Sequence, residues 1–186
     1  EQHCVAEAAS EYEFTSFCES LSCYPKGIGG RIGIVSLSGG HGVLAADTCA
    51  RYGIQVPVPD PATKSGIKSK LSPEIQDIAS LENPMDLTGS AVDADFVTTT
   101  RALLQDPKID CVLALLIPYS PGISADIGAK LSQVARNEDK PMIAYVPNEE
   151  KYRIIIEGFE LNRIPVASSV DGAVMMASAL KRCRPC

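Results

Sequence analysis

The chain has no tryptophan and, in 186 residues, only four phenylalanines and six tyrosines. An excess of basic residues is also missing. The 17 Lys and Arg face 23 Asp and Glu, for a net charge of −6, which argues against a nucleic-acid-binding face or a basic helix on a membrane surface. No apolar run approaches the roughly 20 residues that span a bilayer. The N-terminal stretch "EQHCVAEAASEYEF" lacks the basic start and apolar centre of a secretory signal. These absences predict a cytoplasmic protein with neither nucleic acid nor membrane as a partner.

A disulfide framework is absent as well. The seven cysteines are odd in number and scattered: Cys4, Cys18, Cys23, Cys49, Cys111, Cys183 and Cys186. Cys49 falls in a predicted helix and Cys111 opens an apolar run, so both read as buried thiols. The terminal "CRPC" has C-x-x-C spacing, and Cys18 and Cys23 would complete a set of four metal ligands. A redox C-x-x-C opens a helix after a strand, however, and this one trails off a helix end. The reading is free terminal thiols and no metal. The chain starts at Glu1 without methionine, and is expected to be processed or a piece of a longer polypeptide.

What is present is a globular composition, 45% hydrophobic and 22% charged, of a size for one domain. Residues 1–26 read as a lead-in whose pattern is unclear, residues 27–182 as the domain and 183–186 as a tail. From Gly30 onward strand and helix signals alternate. Strands are predicted at 31–37, 54–59, 111–117, 141–146 and 164–168, the second at an edge because of Pro57 and Pro59. Helices are predicted over 40–53, closed by Gly53, over a short stretch 72–80, and after caps at Asp93 and Ser124. Two more carry Tyr152 to Phe159 in register and close the chain from Val170. The stretch 83–91 reads as a loop.

Alternating strands and helices with short links call for an α/β, three-layer flavodoxin-like fold, a five-stranded parallel sheet in order 2-1-3-4-5 with helices on both faces. Ligands of such sheets bind outside the carboxyl ends of the strands where the order reverses, here between strands one and three. That rule selects the turn after strand one, in "SLSGGHGVLAAD" (36–47), and the turn after strand three, in "YSPGISAD" (119–126). Gly39, Gly40 and Gly42 allow close backbone approach, and the helix that follows aims free amides at whatever sits there. Ser120 and Ser124 offer hydroxyls around Gly122. Neither turn holds a lysine or arginine, so an anion there would rest on amides and hydroxyls. His41 stands among the glycines, contacting a phosphate, accepting the phosphoryl group as an accessory site, or merely facing solvent; His3 reads as incidental.

Two nucleotide readings compete. Gly40-His41-Gly42-Val43-Leu44-Ala45 matches G-x-G-x-x-A, with Asp60 beyond it near the end of predicted strand two. The prolines in that strand and the lack of a second mononucleotide half weigh against an NAD-binding oxidoreductase. An FMN site would want a hydroxyl-rich loop and flanking aromatics, and only Tyr119 lies in a predicted binding loop.

Four segments together resemble a known family: "GRIGIVSLSGGHGVLAADTCARYGI", "ENPMDLTGSAVDADFVTTTRALLQDPKIDCVLALLIPYSPG", "KPMIAYV" and "NRIPVASSVDGAVMMASAL". They are similar to a flavodoxin-like module of the NDP-forming acyl-CoA synthetases, in the superfamily of succinyl-CoA synthetase and ATP-citrate lyase. The resemblance runs over about 27–181. It implies a module that helps bind a phosphohistidine carried by another domain, through helix N-termini, during acid + CoA + NTP ⇌ acyl-CoA + NDP + phosphate. The helix opening at "SPGIS" (Ser120, Gly122, Ile123, Ser124) would be one phosphate-facing helix, with Thr88, Gly89 and Ser90 of "LTGSA" close by. The implied partners are a CoA-binding Rossmann domain, a phosphohistidine-bearing domain and an ATP-grasp domain. ATP or ADP, Mg and CoA belong to the full enzyme, and no cofactor is expected on this domain alone.

The chain departs from the family in having no ATP-grasp sequence, no Rossmann unit and no "SHTGSLAG"-like stretch. His41 does not inherit the phosphohistidine role, no catalytic residue is assigned, and the chain alone is expected to lack catalysis. The alternative is a non-catalytic interaction or regulatory domain of the same fold.

Overall fold

A computed structural model describes residues 6–183. His3, Cys4 and Cys186 lie outside the described residues, and with them three of the four residues of "CRPC", the predicted tail.

The core is a parallel five-stranded sheet in the order β2-β1-β3-β4-β5. Strand β1 (Ile32–Ser36) lies beside β3 (Cys111–Leu115), in register from Ile32 opposite Cys111 to Ser36 opposite Leu115. Strand β4 (Met142–Tyr145) and the short β5 (Val166–Ala167) follow on one side, and β2 (Met85–Asp86) on the other. All residues of β1 and β3 are buried, as in strands covered on both faces.

The strands distribute their side chains with period two. Ile32, Ile34, Leu113 and Ile143 face a layer built from α2 (Gly39–Arg51) and α7 (Val170–Arg182), where Ala45, Cys49, Val174 and Ala177 are buried. Val35, Val112, Ala114 and Met142 face the other layer, where Phe96 of α4 (Asp93–Gln105), Leu131 of α5 (Ile127–Arg136) and Phe159 of α6 (Arg153–Glu160) are buried. The result is the predicted three-layer flavodoxin-like fold. Among the described residues no helix is long and apolar enough to cross a membrane.

The second strand is not where the sequence pattern put it. Residues 54–59 make a single parallel bridge, Gln55 with Arg31, because Pro57 and Pro59 have no amide to donate. The edge position goes instead to Met85–Asp86, in the stretch read as a loop. Asn83 fills the gap in the ladder: its Oδ1 accepts from the Ile34 amide at 2.9 Å, and its Nδ2 donates to the carbonyls of Ile32 and Pro57 at 2.8 and 2.9 Å. The strand order survives because both segments lie on the same side of β1.

Three further boundaries differ. The helix of the polar excursion is α3 (Pro61–Lys68), opened by Pro61, whereas 73–78 forms only turns tied to the Asp95 carboxylate through Ser72. Helix α4 starts at Asp93 itself, after an extended Val92 whose amide is held by Asp95 at 3.0 Å. Helix α5 begins at Ile127 behind Asp126, two residues later than a cap at Ser124 implies. The stretch read as a lead-in carries helix α1 (Glu11–Cys23), which buries Phe17 and lies against α7. Gly53 closes α2 as expected, with φ +64°.

Cys49 and Cys111 are buried, as expected. Burial pushes the Cys49 thiol up to about 12 and the Cys111 thiol higher still, so both stay protonated and inert. Cys18 is exposed and free. Among the described residues no group of His, Cys, Asp and Glu is arranged to hold a metal ion.

Candidate functional site

Because every strand is parallel, the loops after β1, β2 and β3 emerge on one edge of the sheet. Close approaches at glycine show that they touch. A Cβ at Gly39 would lie 2.9 Å from Asp86 Oδ2, and one at Gly42 would lie 3.1 Å from the Pro84 side chain. A Cβ at Gly89 would come within 3.9 Å of Ser120 Oγ, and one at Gly122 within 2.5 Å of the Ala91 carbonyl oxygen. The fold thus brings together the three segments containing Gly39–Gly42, Thr88–Ser90 and Ser120–Ser124.

The glycine turn is the open part of this surface. Buried Ser36 shapes it: its hydroxyl donates to the Ser38 carbonyl at 2.9 Å and accepts from the Ser38 amide at 3.0 Å. Ser38 then stands at the N-cap of α2 in extended conformation, with no side-chain capping bond. The first intrahelical amide is that of Gly42, donating to the Ser38 carbonyl at 3.1 Å. The amides of Gly39, Gly40 and His41 are the orphan donors that any helix leaves at its start, joined there by the positive end of the helix dipole.

The other two segments spend most of their backbone donors internally. The Thr88 amide donates to Asp86 Oδ1 at 2.9 Å, and the Ser90 amide to Thr88 Oγ1 at 3.3 Å, with Thr88 in the left-handed region at φ +65°. The amides of Ser120 and Ile123 donate to carbonyls within their own turn, each at 3.0 Å. Ser124 is held by Asp93, whose Oδ1 accepts the Ser124 amide at 3.0 Å while its Oδ2 accepts the Ser124 hydroxyl. Lys130 Nζ closes the cluster, 2.7 Å from Asp93 and 3.0 Å from Asp126. Burial pushes the Asp93 carboxyl up, but its bonds from Lys130 and Ser124 outweigh that and hold it below the usual carboxylate range. The N-terminus of α5 therefore carries its own counter-charges.

His41, the third residue of α2, is not free in solvent. Its ring stacks on Tyr145 with centroids 5.6 Å apart and planes 29° from parallel. Sequence reasoning missed Tyr145 because only the fold sets the end of β4 beside the start of α2. It also missed the Asp93–Ser124–Lys130 cluster, although Asp126 and Lys130 at i,i+4 spacing are a visible signal. Asp60, which the dinucleotide reading sets at the end of strand two, stands before α3 and pairs with Lys108 at 2.5 Å. A cleft of about 480 Å³ lies at the opposite edge, where Asp110 is engaged with Arg31 and Lys140 with the Asp106 carbonyl.

No family model matches the sequence. The alpha subunit of ADP-forming acetate–CoA ligase II from Pyrococcus furiosus is 30% identical over 163 residues, covering 82% of this chain and 33% of that protein. ADP-forming acetate–CoA ligase I from Archaeoglobus fulgidus is 33% identical over 114 residues, 61% of this chain and 16% of that protein. The chain is a flavodoxin-like module of the ADP-forming acyl-CoA synthetase family. The crystal structure of PH0766 from Pyrococcus horikoshii superposes on 97% of the module with a TM-score of 0.86 at 26% identity, and the module covers 41% of it. A dinucleotide-forming acetyl-coenzyme A synthetase 1 from Candidatus Korarchaeum cryptofilum has the same fold, with a TM-score of 0.83 at 24% identity. The module spans about a third of the length of the first of these curated relatives.

Proposed function

We propose that this module forms one wall of a phosphohistidine site in an NDP-forming acyl-CoA synthetase. The observation that carries the reading is the uncapped start of α2, where the amides of Gly39, Gly40 and His41 converge at the reversal point of the sheet. Fixed amides and a helix dipole stabilise a phosphoryl anion without a permanent counter-charge, which suits a group that arrives, reacts and leaves. In this reading Thr88–Ser90 and Ser120–Ser124 shape the neighbouring surface, with Asp93 holding Ser124 in place. The unit is residues 27–182, braced by α1.

The reaction needs what the module does not supply. A CoA-binding Rossmann domain, a domain bearing the phosphorylated histidine and an ATP-grasp domain are the proposed partners. ATP or ADP, Mg and CoA are bound by those domains, and the whole works in the cytoplasm. The likeness to the acetate–CoA ligases supports this assignment, and acetate itself is a candidate acid by the same likeness.

The test is a titration of the ¹⁵N-labelled chain with inorganic phosphate, followed by amide chemical shifts. Saturable shifts are expected at Gly39, Gly40 and His41, with smaller ones at Gly89 and Gly122. Shifts that never saturate, or that avoid the glycine turn, would overturn the site and favour a purely structural or regulatory role for the module.

A further inference from the structure

His41 is the one side chain able to carry positive charge in the three loops Ser36–Val43, Asp86–Val92 and Leu116–Ser124. Lys130, at the start of α5, is spent on Asp93 and Asp126. Asp86, with Oδ2 beside Gly39, adds negative charge where an anion is to bind. A phosphoryl group at the glycine turn therefore meets no cationic side chain of these loops unless His41 provides one.

The position of His41 is set by the fold. The residue lies in the first turn of α2, the helix that follows β1, and Tyr145 ends β4, with β3 lying between those strands. Neighbouring strands are about 4.8 Å apart, so the imidazole leans across the carboxyl end of β3 to stack on Tyr145. The pair thus bridges the crevice where the strand order reverses. Tyr145 is itself half-buried, and burial, with Tyr119 and Glu149 nearby, pushes its phenol up. It remains a neutral ring, and a neutral aromatic face accepts an imidazole in either charge state. A turn residue facing solvent would show no such contact.

We propose that Tyr145 is a positioning residue that holds the His41 ring over the glycine turn, where an imidazole N–H donates to a phosphoryl oxygen bound by the α2 amides. This rests on the phosphate reading of the glycine turn. The ligand class is a tetrahedral phosphoryl anion, and no covalent step or proton transfer is involved. The imidazole fixes the anion on the side of the crevice away from Asp86, adding a charge-assisted bond to the neutral amide donors.

Two measurements on the chain separate the parts. The first is the ring ¹H–¹³C spectrum of His41, displaced from free-imidazole shifts by the Tyr145 ring current. Tyr145→Phe is expected to preserve those shifts and Tyr145→Ala to abolish them; unchanged shifts in Tyr145→Ala would overturn the positioning role. The second is inorganic phosphate affinity read at the Gly39 and Gly40 amides. His41→Ala and Tyr145→Ala are each expected to weaken binding, His41→Ala by about tenfold, with Tyr145→Phe restoring native affinity. Native binding that His41→Ala leaves intact would overturn the inference while the phosphate site stands. No saturable binding by the native chain would overturn both.

Discussion

Gly122 is where the loops after β2 and β3 lock together. Its carbonyl accepts the Asp93 amide at 3.1 Å, and a Cβ would meet the Ala91 carbonyl oxygen at 2.5 Å and Val92 Cα at 3.1 Å. Both obstacles are backbone, so relief requires moving the start of α4. Gly122→Ala is expected to destabilise the chain by about 1–3 kcal/mol, read as a lower midpoint in urea unfolding with unchanged slope. Gly39 is different in kind, since its near neighbour is the end of the Asp86 side chain, which can rotate away. In the sequence both glycines look alike, as small residues in strand-to-helix turns. Only the second contact of each, made by residues 31 and 47 positions distant, separates a packing glycine from one that opens a helix N-terminus.

Helix α1 poses the same problem at the scale of an element. The sequence offers no clear apolar stripe there because the face that α1 buries is mostly small or polar: Glu13, Ser16, Phe17 and Ser20. Such a face suits close contact with α7, where a Cβ on Gly172 would lie 2.4 Å from the Tyr12 hydroxyl oxygen. The Tyr12 hydroxyl bonds the Ser169 hydroxyl at 2.9 Å, and the Arg182 guanidinium lies over the Phe17 ring at 5.6 Å. Phe17 is the large apolar side chain that α1 buries, 3% exposed, with Leu21 packed partly buried against the core. Phe17→Ala is expected to cost about 3 kcal/mol and to raise amide exchange in α1 and α7 ahead of the central strands; exchange that stays uniform across the chain would show α1 to be dispensable. Strand β2 hides for a related reason. Two ladder residues are too few for a period-two pattern, and the Asn83 side chain does the work that a third would do.

Across the whole molecule, three carboxylates tie element ends together: Asp110, Asp106 and Asp93. Burial pushes each up, yet each sits below the usual range because its bonds outweigh burial. Those bonds come from the Arg31 guanidinium and amide at Asp110, from Thr63 and the amides of Asp60 and Lys108 at Asp106, and from Lys130 and Ser124 at Asp93. A carboxyl depressed in the folded state stabilises it fully above the unfolded value of about 3.9, and that contribution is lost as pH falls through the folded values. The melting temperature is expected to hold from pH 7 to 5 and to drop steeply below about pH 4. In Asp110→Asn the melting temperature starts lower and the acid-induced drop is smaller. A native melting temperature that is level down to pH 3 would contradict this account.

The sequence by itself determined the fold class and the strand order, and with them the edge of the sheet where the candidate loops meet. Alternating patterns of period two and 3.6 with short links admit few topologies, and the reversal of strand order follows from the topology. It also determined the family, through "GGHGVLAAD" and "NPMDLTGSA" taken together. The tertiary structure decided which turn stays open. Ser38 leaves the α2 amides uncapped, while Asp93, 31 residues before Ser124 in the chain, takes both donors of Ser124. It also decided the place of His41, through a stack on a tyrosine two strands away. These outcomes depend on side chains meeting across the ends of strands, and a local pattern carries no information about such meetings.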